Sequence, residues 1–100
     1  MEKRLKYKID IFGDTYTVTF KDKVYNSDGK WVFGETCTDE FTIDISTHTE
    51  DNVALSNEQI RITLLHEIAH AICFAGCYMG YGEDEPFIEF VAKSLNSLIK

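Results

Sequence analysis

The sequence predicts an α+β fold: a small antiparallel β-sheet of three or four strands packed on one central helix, with a second helix at the C-terminal end. Two observations carry this. Up to Ile45 apolar and polar residues alternate with a period of two, and after Ser56 the spacing changes to that of a helix. A third agrees with them, since Gly, Asn and Asp cluster where those elements should end.

Leu5, Tyr7, Ile9 and Ile11 alternate with Lys6, Lys8 and Asp10, as in a half-buried strand. Gly13-Asp14 should turn the chain, and Tyr16, Val18 and Phe20 alternate with threonines, so residues 4–21 read as a β-hairpin. Asn26-Ser27-Asp28-Gly29 signals another turn, Trp31-Val32-Phe33 is a short apolar run before Gly34, and Phe41, Ile43 and Ile45 form a further alternating strand. Beyond a polar loop, Ser56 and Gln59 fit a capping box opening a helix that should reach Ala75, with Gly76 at C′. Ile60, Leu64, Leu65, Ile68, Ala71, Ile72 and Ala75 cover a broad arc of it, leaving Gln59, Thr63, His66 and His70 a narrow stripe. Glu83-Asp84-Glu85-Pro86 should open the second helix, with Pro86 at N1 and Phe87, Ile88, Val91, Leu95, Leu98 and Ile99 as its apolar face.

One hundred residues make one domain, spanning 1–100, and the 44% hydrophobic and 13% aromatic shares are those of a folded chain with a core. The net charge of −7 disfavours a nucleic-acid partner, because the bases concentrate in the first 30 residues as the solvated face of a strand. No apolar run approaches the roughly 18 residues of a membrane span and no signal-peptide core follows the basic start, so the expected partner is not a membrane. Three cysteines, an odd number, match no disulfide framework and favour free thiols in a reducing cytoplasm.

The segment His66-Glu67-Ile68-Ala69-His70 carries the chemistry. Residues four apart lie one helical turn apart, so both imidazoles share a face and can chelate one ion, while Glu67 projects about 100° around, beside the metal. Two nitrogen ligands from a rigid helix, with a carboxylate in reach of a bound water, suit Zn2+. The plainer alternative, two hydrogen-bonded core histidines and a half-exposed glutamate, leaves the spacing unexplained. His48, in the polar Thr47-His48-Thr49 loop, reads as an exposed histidine rather than a ligand. Cys73 reads as a small hydrophobe, and Cys77 falls beyond the expected helix end at Gly76. Tyr78 and Tyr81 read as surface residues, although a phenol there could donate to a developing oxyanion.

The motif helix, preceded by a sheet and followed by an acidic helix start, resembles the zincin metallopeptidases. More narrowly it looks like the minimal phage-type and ImmA/IrrE-like zinc peptidases of gluzincin type. The resemblance implies a cytoplasmic enzyme, in bacteria or a phage-infected cell, that cleaves peptide or protein substrates, with the sheet's edge strand holding the substrate extended. Here the strand of Phe41, Ile43 and Ile45 is the expected edge, since it immediately precedes the motif helix. The resemblance also implies a third ligand, a glutamate from the second helix. A helical wheel does not separate Glu85 from Glu89; Glu89, embedded among apolar residues, is preferred over Glu85, which belongs to an acidic run. The expected metal set is thus His66, His70 and Glu89, with Glu67 as general base. The alternative is a non-catalytic zinc-binding or host-factor interaction module of phage origin, in which Glu67 has no evident role. Substrate specificity and oligomeric state are not legible.

Overall fold

The computed structural model describes residues 5–76 and 84–98. Its strands are β1 (Leu5–Ile11), β2 (Asp14–Lys21), β3 (Val24–Tyr25), β4 (Trp31–Val32), β5 (Gly34–Cys37) and β6 (Thr42–Ser46), followed by helices α1 (Asn57–Ala75) and α2 (Glu85–Leu98).

The hairpin forms where the alternation places it, with Ile9 opposite Tyr16 and Tyr7 opposite Val18. Its turn is one residue earlier than expected. Ile11 pairs with Asp14, so Phe12 and Gly13 are the two loop residues, both with positive φ (50° and 90°) as a tight hairpin requires. The turn at residues 26–29 closes a separate ribbon of β3 and β4. There the Asn26 side chain accepts from the backbone N–H of Asp28 and Lys30, and Gly29 supplies φ 78°.

The sheet has four strands, as expected, but it is mixed rather than antiparallel. Its order is β1-β2-β6-β5, and β6 runs parallel to β2, with Val18 opposite Ile43 and Phe20 opposite Ile45. The reason is connectivity: β5 and β6 are antiparallel neighbours, and the pair docks with β6 inward. The strand of Ile43 and Ile45 is therefore interior, both residues being fully buried, and the edge is β5. This corrects the expected edge strand. Buried Ser46 ties the ribbon to the sheet, its hydroxyl accepting from Val24 N–H at 2.8 Å and donating to the Val32 carbonyl at 2.8 Å.

Ile11, Tyr16, Val18, Ile43, Ile45 and Ala71 form the core, with Ile60, Leu64, Ile68 and Ala75 of α1 packed against it. Ser56 caps α1 as expected, accepting from Gln59 N–H at 3.0 Å; the Gln59 side chain does not reach back but donates to Thr63 at 3.2 Å. Gly76 ends the helix without the left-handed conformation expected of a C′ glycine, since its φ is −85°.

In α2 the Asp84 side chain accepts from Phe87 N–H at 3.2 Å, which makes Pro86 the second helical residue and not the first. The buried stripe is Ile88, Ala92 and Asn96, whereas Phe87, Leu95 and Leu98 of the expected apolar face are exposed. Arg61 donates to Asn96 near one end of the helix pair and His70 meets Glu85 near the other, so α1 and α2 run antiparallel. No helix among the described residues is long and apolar enough to cross a membrane.

Candidate functional site

A cleft of about 840 Å³ lies between the ribbon, β5, α1 and α2. Gln59, Thr63, His66 and His70 all line it, so the polar stripe read from the helical period is the face α1 turns to the cleft. The two imidazoles stand with their Nε2 atoms 3.2 Å apart. Glu85 bridges them from α2, Oε2 lying 3.0 Å from Nε2 of His66 and Oε1 3.2 Å from Nε2 of His70.

Glu89, expected as the third ligand, is placed differently. Its carboxylate faces the other ring nitrogen of His66, 3.6 Å from Nδ1. The described group whose donor atoms all lie within 4.8 Å of one another is His66, His70 and Glu85. Glu85 begins α2 one turn before Glu89, and the antiparallel crossing brings that first turn over His70.

The donor set fits a small tetrahedral ion. Two donors each about 2.0–2.1 Å from one ion at the tetrahedral angle lie roughly 3.3–3.4 Å apart. The His66–His70 separation of 3.2 Å is close to such an edge, Glu85 offers one carboxylate oxygen to each imidazole at 3.0 and 3.2 Å, and two imidazole nitrogens with a carboxylate are ligands zinc accepts.

Glu67 is 7% exposed, unusual for a carboxylate in a helix. Burial raises its pKa above the ordinary carboxylate range, against the opposing pull of a hydrogen bond from Thr36 and of the neighbouring His66 and His70. Thr36 of β5 lies with its hydroxyl 2.7 Å from Oε1 of Glu67 and 3.1 Å from the Glu67 backbone carbonyl, joining the edge strand to the motif helix. The close approach depends on Gly34. A Cβ there would stand 2.9 Å from Thr63 Cγ2 and 3.1 Å from both Asp44 O and Glu67 Cγ.

The sequence pattern alone does not mark Gly34 or Thr36 as site residues. An isolated glycine inside a strand pattern signals close backbone approach, which could have marked Gly34, but nothing local distinguishes Thr36 from the other threonines. His48 stays away from the cleft lining. It is half-buried, bonded to the Thr47 hydroxyl at 2.8 Å, and its segment bridges to Ala54. Cys73 is a half-buried free thiol; Cys77, Tyr78 and Tyr81 lie outside the described residues.

Comparison with family models, with curated proteins and with solved structures returns no match for this chain.

Proposed function

We propose that the chain is a zinc-dependent metallopeptidase in which His66, His70 and Glu85 hold the ion and Glu67 is the general base. The observation that carries this reading is the convergence of two Nε2 atoms and one carboxylate beside a buried second carboxylate, within a single cleft. Zinc bound there would supply a Lewis acid that acidifies water and polarises a peptide carbonyl. Glu67 takes the proton of the attacking water and returns it to the leaving amine, and a pKa raised by burial brings that base nearer neutral pH. Thr36 holds this carboxylate in place through Oε1. Glu89 faces Nδ1 of His66, where its charge favours the proton on that nitrogen and leaves Nε2 as the ligand atom.

An extended substrate adds to the outer edge of β5, and this strand takes over the role expected of the Ile43 strand. The free thiols Cys37 and Cys73 support a cytoplasmic setting. A closed structural zinc site ordinarily has four protein ligands, whereas the group here offers two histidines and one carboxylate. The test is metal analysis of purified protein beside peptide cleavage with and without chelator. About one zinc per chain is expected, lost together with cleavage on chelation and absent from the variant carrying both His66→Ala and His70→Ala. Zinc without cleavage would move the chain to the non-catalytic class, and stoichiometric zinc in the double variant would remove the site.

A further inference from the structure

The ribbon turns two aromatic rings into the cleft beside the metal-binding group. Trp31 and Phe33 line it together with Ile62 of α1, and none of the three belongs to the core cluster beneath the sheet. The rings stand edge to face, with centroids 4.7 Å apart and planes at 68°. The Trp31 ring and the Phe33 backbone are each tied to the residues behind them. The Trp31 indole N–H donates to the His48 carbonyl at 3.1 Å, and the Phe33 carbonyl accepts from Ser46 N–H at 2.8 Å. Phe33 nevertheless keeps 44% of its surface exposed.

An aromatic surface left open beside a polar centre is the arrangement of a side-chain pocket. It is continuous with β5, because Phe33 directly precedes Gly34, the first residue of that edge strand. A peptide paired to the β5 edge sends alternate side chains to opposite faces, so one of them can meet this wall while the backbone runs toward the two histidines.

We infer that Trp31, Phe33 and Ile62 form a specificity pocket for an aromatic or large aliphatic side chain of an extended peptide substrate. The inference rests on the peptidase reading, whose substrate class it names. The acidic groups of the cleft other than Glu67, which are Glu35, Glu85 and Glu89, make a basic side chain the competing choice, but two of them face His66 and the wall itself is apolar.

The protein has a single tryptophan, so Trp31 reports occupancy of the pocket directly. The experiment titrates the zinc-loaded Glu67→Gln protein with three blocked hexapeptides, identical except for Phe, Ala or Lys at one position, and follows Trp31 emission. Burying a Phe side chain predicts at least about tenfold tighter binding of the Phe peptide than of the Ala peptide. Phe33→Ala should cut that preference to less than about threefold; Phe33 is partly exposed, and circular dichroism checks that the variant folds. Ile62→Ala provides a second reading from the opposite wall. Equal affinities, tighter binding of the Lys peptide, or no response of Trp31 to any peptide would overturn the pocket. Cleavage by wild-type protein separates the two readings. A Phe preference in binding without cleavage keeps the pocket and removes the peptidase, whereas cleavage indifferent to the Phe position keeps the peptidase and removes the pocket.

Discussion

Helix α1 buries Thr63 and Glu67 at 5% and 7% exposure while leaving Ile72 at 42%; helix α2 buries Ile88 and Ala92 completely while leaving Phe90 and Leu98 at 69% and 78%. Both helices thus expose apolar groups, but only α1 sinks a carboxylate. Exposed apolar side chains are common on folded proteins and cost little. A buried carboxylate carries a desolvation cost that must be offset by hydrogen bonds or neighbouring charge. In α1 that offset comes from Thr36, His66 and His70, all of which converge on the cleft. Where the chain tolerates an expensive burial, its chemistry is concentrated.

The largest effect expected from disturbing that contrast is catalytic. Glu67→Gln should retain zinc and lower peptide cleavage by about 10²–10⁴-fold, because the amide keeps the shape but accepts no proton. In the metal-free protein the same change should not destabilise. Burial raises the folded pKa of Glu67, so its contribution to stability is fully present below the unfolded value and is lost as pH rises through the folded one. Denaturant unfolding of the metal-free protein across that interval should decline for wild type and run flatter for Glu67→Gln. Unchanged cleavage, or a steeper decline in the variant, would break the comparison.

Next comes the division of labour within α2. If the proposed site is right, Glu85→Ala should weaken zinc binding by at least about a hundredfold, since it removes one of the three proposed ligands. Glu89→Ala should weaken it by about tenfold or less, since only a charge beside Nδ1 of His66 goes. Zinc dissociation constants of the two variants decide, and the reverse order would return the ligand role to Glu89.

Smaller again is the contact between β5 and α1. Gly34→Ala places a methyl group 2.9 Å from Thr63 Cγ2 and should cost about 1–3 kcal/mol in equilibrium unfolding, with cleavage reduced as the Thr36–Glu67 bond lengthens. An unfolding midpoint equal to that of wild type would mean that strand and helix separate without cost. The smallest effect belongs to the exposed face of α2, where Phe90→Lys should alter stability by no more than about 0.5 kcal/mol, against about 2–5 kcal/mol for Ile88→Ala. A large loss in Phe90→Lys would show that this face is covered in solution.

Much of this was legible in the residue order, and the legible part is local. The alternation from Leu5 to Phe20 is enough for the hairpin, Asn26 and Gly29 for the second turn, and Ser56 for the start of α1. The period of α1 places Gln59, Thr63, His66 and His70 on one face whatever surrounds the helix, because residues three and four apart must align. The partners across space were decided by tertiary structure alone. Any strand with the pattern of β6 can sit at an edge or inside a sheet, and only docking of the β5–β6 pair beside β2 put Ile43 and Ile45 inside and Thr36 beside Glu67. Glu85 and Glu89 are one turn apart and nearly eclipsed on a helical wheel, so the sequence alone ranks them by their neighbours. The antiparallel crossing of α1 and α2 sets the Glu85 carboxylate across both Nε2 atoms and the Glu89 carboxylate beside Nδ1 of His66.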